Sequence, residues 1–289
     1  MNGRMSALDI RPASAAEFAV AVEWAAAEGW NPGLDDLPAF HAADPGGFFL
    51  GWRGEEPVSA ISVVRYGAHF GFLGFYIVRP EHRGGGDGIA TWTHGMATLE
   101  RRTVGLDGVV AQQDNYRKSG FMLAGRNVRH SGVPALPAAD IPGAAIRAAT
   151  ADDLAALLAY DRAFFAGPRE DFTQAWTLPP AGVRRQAMIA VADGGISGYG
   201  VIRACRSGHK IGPLFADDAA TAEALFVGLC RTVPGDEVSL DTPEGNQAAV
   251  GLATRFGLQP VFETARMYRG QAPALPVART YGITTFELG

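Results

Sequence analysis

Apolar residues follow two rhythms along this chain: short runs bounded by glycine-rich turns, and longer stretches in which they return every three or four positions. The first rhythm predicts strands and the second predicts helices with one buried face. Residues 8–10 suit a short opening strand. Ser14 and Glu17 give a capping-box signal for a helix carrying Phe18, Val22 and Trp24, which Gly29 ends. Residues 30–36 are rich in turn formers. Residues 48–53 and 58–65 read as a hairpin, residues 66–69 turn the chain, and 72–78 is a further strand. A helix with Ile89, Trp92, Met96 and Leu99 on one stripe comes next, then a strand at 105–111, a polar segment at 112–120 and a long strand at 121–130.

Residues 131–145 hold three prolines and seven alanines or glycines, a composition suited to a linker. Beyond it the same grammar restarts. Thr150 and Asp153 cap a helix bearing Leu154, Leu157 and Leu158; strands are predicted at 187–192, 196–205 and 210–216, a helix at 218–230, a strand at 238–241, a helix at 245–254 and a strand at 261–269. Ser119, Gly120 and Phe121 match Phe256, Gly257 and Leu258 in standing just before the final strand of each half. This is an internal repeat of architecture. The tail, 279–289, reads as one more strand. The expected class is α+β (α/β): two tandem domains, 1–133 and 146–289 with a linker at 134–145, each a mixed, largely antiparallel central sheet flanked by helices.

With 289 residues, 47% apolar and 19% charged, the chain can bury a sizeable core. A net charge of -5 and a pI near 5.7 argue against binding nucleic acid or a membrane surface, so local basic residues must serve local anions. Cys205 and Cys230 lack metal-ligand spacing and read as buried thiols, so no metal is expected. The first residues lack an apolar signal region, and no run approaches the roughly 18 apolar residues of a membrane span. A cytoplasmic location is the expectation.

The densest chemistry lies at 79–88, where Gly84, Gly85, Gly86 and Gly88 separate an apolar strand from a helix, with Arg79, His82 and Arg83 beside them. Uncovered backbone N–H groups at a helix N-terminus favour an anion, and a diphosphate suits a nest of this size. No Lys-Ser/Thr pair comes after the glycines and the GxGxxG order is absent, which excludes two familiar phosphate loops. The corresponding junction in the second half, Phe215 to Asp218, has no glycine and two carboxylates. One anion site is expected, not two.

Strand, Arg83-x-x-Gly86-x-Gly88, amphipathic helix, strand, and then Tyr116 ahead of Gly120 and Phe121 resembles the GNAT N-acetyltransferase superfamily. The chain is similar to two-domain members whose C-terminal half is classed as an acetyltransferase-like domain in its own right, here a degenerate one. The resemblance implies acetyl-CoA as cofactor, its pyrophosphate at Arg83, Gly84, Gly85, Gly86, Asp87 and Gly88, and its pantetheine arm along Tyr76, Ile77 and Val78. It implies Tyr116 as the acid for the leaving thiolate; the equivalent position in the second half is Ala253. The strand carboxylate common in the family is missing from 71–78, so no base is assigned, and Asp35, Asp36, Asp161, Asp241 and Glu287 are the candidates. Trp30, Asp36 and Glu287 are expected to contact the substrate. The implied reaction is acetyl transfer to the amine of a small molecule by direct attack in a ternary complex. A non-catalytic acyl-CoA sensor and a protein N-acetyltransferase are the alternatives.

Overall fold

A computed structural model describes residues 7–139, 141 and 145–289; residues 1–6, and 140 and 142–144 of the predicted linker, lie outside the described residues. The first half runs β1 (Leu8–Pro12), α1 (Ala15–Ala27), α2 (Leu37–Ala43), β2 (Phe48–Arg53), β3 (Glu56–Tyr66), β4 (Phe70–Val78), α3 (Asp87–Thr98), β5 (Thr103–Val109), α4 (Gln113–Lys118) and β6 (Met122–Gly132). The second runs β7 (Ala145–Ala148), α5 (Leu154–Asp161), α6 (Glu170–Thr177), β8 (Arg185–Ala192), β9 (Gly195–Ala204), β10 (His209–Ala216), α7 (Ala219–Cys230), β11 (Val238–Pro243), α8 (Gln247–Arg255), β12 (Gln259–Arg269) and β13 (Thr280–Gly282).

The local signals act as expected. At α1 the Ser14 hydroxyl accepts from Glu17 N at 3.2 Å, while the Glu17 carboxylate accepts from Ser14 N at 2.9 Å. Gly29 ends that helix in a left-handed conformation, φ 80°. Three short helices, α2, α4 and α6, escape the sequence pattern. Each spans two turns or so, too short for apolar periodicity to register, and α2 and α6 find their apolar partners in each other. Phe40 of α2 stacks on Trp176 of α6, ring centroids 5.7 Å apart and planes 14° apart, so these helices are held by contact across the two halves.

The largely antiparallel sheet flanked by helices is borne out, but the described strands form a single sheet. Its order is β1-β2-β3-β4-β5-β12-β6-β11-β10-β9-β8-β7, with β13 on β10. The final long strand of each half has crossed into the other. β12 lies antiparallel between β5 and β6, and β6 lies antiparallel between β12 and β11. The β6–β12 pair is therefore the axis about which the halves repeat. Arg129 on β6 stands opposite Asp241 on β11, as Arg266 on β12 stands opposite Asp107 on β5. In both pairs the guanidinium donates twice to the carboxylate.

The tail departs from the expected strand. Only Thr280–Gly282 pairs with β10; the residues after it leave the ladder and run, mostly buried, back towards β4. Gly74 accepts this passage, since a Cβ there would stand 2.1 Å from the Glu287 carbonyl oxygen.

Candidate active site

The site begins with a ladder that stops. β4 and β5 pair in parallel from Phe70 opposite Thr103 to Leu73 opposite Leu106, then separate, although both strands continue. On its other side β4 carries a bulge: three steps from Gly74 to Ile77 face two from Ser62 back to Ala60. Phe75 takes the extra position at φ 45°, held there by edge-on packing against Phe18 and Phe40. A non-glycine residue in this region costs about 1–3 kcal/mol, so the surrounding rings must over-determine it. The bulge turns β4 away from β5 and opens a cavity of about 400 Å³. From Gly74 to Val78, the β4 edge facing β5 has no ladder partner among the described residues.

At one end of this cavity stands the glycine loop. Gly84 and Gly86 have φ of 80° and 95°, and Gly86 is the N-cap of α3 without a side-chain cap. Asp87 turns its carboxylate away to Arg53, which donates to it at 2.9 and 2.5 Å, and is almost fully buried. The first turn of α3 is thus left without an acidic side chain over its N–H groups, and Asp87 can serve an anion through its backbone alone. Arg83 donates to the Val78 carbonyl at 2.8 Å and pairs with Glu28, while Arg79 is taken by Glu56 and Glu81. Glu56 and Glu81 lie close to His82, but both carboxylates are exposed and share Arg79.

Tyr116 lines the middle of the cavity from α4. Its ring stacks on Trp92 at 5.7 Å and sits against Gly108, where a Cβ would meet it at 2.2 Å. Burial, with Tyr76 nearby, pushes its hydroxyl up to about 12. That hydroxyl has no hydrogen-bond partner among the described residues, and the Tyr76 hydroxyl, also raised by burial, reaches within 2.9 Å of a Cβ built on Gly88.

The far end is built by the second half. Phe262 and Thr264 come from β12, and Phe286 and Glu287 from the tail. Trp30 completes this wall, and two cations hold its carbonyl: Arg129 on β6 and Lys210 on β10 each donate to it at 3.1 Å. Asn31 adds a reciprocal pair of bonds with the Ser207 backbone, both 2.9 Å. Segment 30–36 is therefore docked on the β9–β10 hairpin.

The chain has relatives among known proteins. A family model described as "Acetyltransferase (GNAT) domain" matches residues 157–282, the half without the glycine loop. Holothin acyltransferase from Pseudoalteromonas sp. (strain SANK 73390) is 32% identical over 280 residues, covering 96% of this chain and 94% of that one. The chain belongs to the GNAT acyltransferases. In structure, a protein from Pyrococcus horikoshii assigned provisionally as an acetyltransferase superposes with a TM-score of 0.81 at 21% identity, covering 100% of this chain and 98% of that one. A tandem GNAT protein from the clavulanic acid biosynthesis pathway superposes at 0.63 with 17% identity, covering 93% and 100%. At these identities the two structures speak for the tandem fold.

For a GNAT protein the placement of the expected residues divides cleanly. Trp30, Tyr76, Ile77, Val78, Arg83, Gly84, Gly88, Tyr116 and Glu287 line one cavity; Gly85 and Gly86 shape the loop beside it. Asp36 does not belong with them. It is 5% exposed, accepts from Arg203 at 3.0 Å and lies 3.6 Å from Arg185, so it is a structural carboxylate between the halves. Among the other acidic candidates, Asp35 is held by Arg184, Asp161 by Arg169, and Asp241 by Arg129. Glu287 differs: its carboxylate, buried at 6% exposure, has no ion-pair partner within 4 Å among the described residues and lies instead in the field of Arg129, Arg203 and Lys210. Asp107 was missed. It lines the cavity from β5, and burial raises its pKa against the hydrogen bonds of Arg266 and Asn127. An aspartate inside the apolar run 104–110 was the available signal.

Proposed function

We propose that this GNAT acyltransferase is an acetyl-CoA-dependent N-acetyltransferase acting on the amine of a small molecule by direct attack in a ternary complex. The observation that carries the reading is the single splayed cleft. It joins an uncapped, glycine-lined helix start at one end to an aromatic wall with an unpaired buried carboxylate at the other. The GNAT family generally uses acetyl-CoA, which supplies a thioester-activated acetyl group when bound.

In this reading the N–H groups from Gly84 to Gly88, with Arg83 released from Glu28, hold the pyrophosphate. The unpaired edge of β4 at Tyr76, Ile77 and Val78 takes the pantetheine arm as a strand would, and an N–H of that edge faces the charge that develops on the carbonyl oxygen. Tyr116 donates its O–H to the departing sulfur. A hydroxyl at about 12 gives up its proton only uphill to a thiolate near ~8.5, so Tyr116 steadies the sulfur while the acceptor nitrogen is the source of the proton. Glu287, walled by Trp30 and Phe286, holds the acceptor's ammonium and takes its first proton directly or through water before attack; after the C–N bond forms, the nitrogen's second proton goes to the sulfur as the C–S bond breaks.

A thiol-trapping assay of acetyl-CoA turnover over a panel of small amines tests this, together with calorimetry of CoA binding. The expected result is turnover on at least one amine, with Glu287→Gln raising the acceptor KM while the KM for acetyl-CoA is unchanged. CoA binding without turnover on any amine would replace the transferase with a sensor; no CoA binding at all would end both readings.

A further inference from the structure

The repeat about β6–β12 places a counterpart of the active cleft in the second half. There β10 and β11 pair in parallel from His209 opposite Val238 to Ile211 opposite Leu240, then separate as β4 and β5 do. The opening is then filled rather than left free. β13 enters it and pairs with β10 at Leu214 and Phe215, and Asn246 at the start of α8 donates to the carbonyls of Val277, Ala278 and Thr280, which fixes the incoming chain. The strand edge left open in the first half is covered in the second by the protein's own tail. At the start of α7, Asp218 caps the helix by accepting from Thr221 N at 2.8 Å, and Asp217 adds a second carboxylate. Neither a pantetheine arm nor a diphosphate has a place there.

Beyond the covered edge a second cavity of about 500 Å³ remains. Its walls are largely aromatic and aliphatic, with Phe164 stacked face to face on Phe215 at 4.1 Å beside Phe165, Tyr268 and Ile283, and Asn127, Thr280 and Thr284 add polar edges. The guanidinium groups on it are already neutralised, Arg266 by Asp107 and Arg126 by Glu263, and Glu244 is exposed to solvent. Apolar walls of this size bind small apolar molecules without specific bonds, and ring faces favour an aromatic guest. A charged guest would lose its hydration against these ring walls, and an anion would find both guanidinium groups already engaged.

We propose that this second cavity is a binding site for an uncharged aromatic small molecule, distinct from the acyl-transfer cleft. Gly125 gives a direct handle on it. It shares a face of β6 with Asn127, both on the cavity wall, and a Cβ built on it meets no atom within 4 Å. A ring introduced there enters open space.

Indole, 1-naphthol and 4-methylphenol titrated calorimetrically into the full chain provide the test. Saturable one-to-one binding with a Kd of about 1 mM or tighter is expected for at least one of them. Gly125→Phe should weaken it at least tenfold, and Ala274→Trp, which adds bulk at the exposed rim, should do the same if the first variant fails to fold. Absence of binding across the panel, or undiminished binding in a folded variant, would overturn the proposal.

Discussion

Tyr116 depends on a residue with no side chain. Its ring lies where a Cβ on Gly108 would be, and Trp92 covers its other face, so the hydroxyl is presented to the cavity by packing alone. Tyr116→Phe keeps that packing and removes only the O–H. We expect kcat to fall by about 10²-fold with little change in the KM for acetyl-CoA, measured by steady-state thiol release. Because burial holds the hydroxyl up at about 12, its ionisation should cause no loss of rate across the neutral and mildly alkaline range. Lys210 gives a second prediction at this scale. It is fully buried, with Trp30 O as its hydrogen-bond acceptor, and burial beside Arg129 lowers its pKa to about 8. Between that value and the unfolded value near ~10.4 the unfolded chain binds the extra proton, so stability rises with pH through this window and is lost as pH falls towards 8. Denaturant titrations from pH 7 to 10 should show a gain of up to ~3 kcal/mol in the wild type, a gain that Lys210→Met flattens.

The elements of the first half work through their irregularities. β4 would be an ordinary central strand without its bulge, and the cavity would close. α3 would carry an acidic side chain over the N–H groups of its first turn had Asp87 not been drawn to Arg53. Gly86 connects the two, since φ 95° at the N-cap sets the loop over the cavity mouth. Gly86→Ala forces a side chain into that conformation, which we expect to cost about 1 kcal/mol of stability and to weaken CoA binding at least tenfold, read by thermal melting and calorimetry. The glycine pattern made this element legible from sequence because its chemistry is local. The bulge was not legible, because the rings of Phe18 and Phe40 that hold Phe75 lie far from it along the chain.

At the scale of the molecule, the crossed final strands tie the halves into one sheet. Among the described residues β6 pairs with β12 and β11 and with no strand of its own half, so residues 1–133 made alone would present β6 and β5 with bare edges. We expect that fragment to aggregate and coexpression with 134–289 to restore a soluble complex, judged by size-exclusion chromatography. The same crossing explains why the half without the glycine loop persists. It supplies Phe262, Thr264, Phe286 and Glu287 to the cavity and anchors Trp30 through Lys210, beside the bond from Arg129 of β6. What the residues alone determined was what short-range patterning sets: the long strands, the capped helices, the repeat and the glycine loop, while Tyr116 was marked by the family resemblance. Capping, glycine conformation and apolar periodicity act within a few residues, so they are written in the order of the chain. The tertiary structure decided what depends on distant partners. It exchanged the last strands, joined two sheets, sent the tail to fill one cleft and border the other, paired Asp36 with Arg203 and left Glu287 unpaired in the cavity. Which carboxylate bonds a cation directly and which lines the cavity is settled by packing between segments far apart along the chain, and no local pattern carries that information.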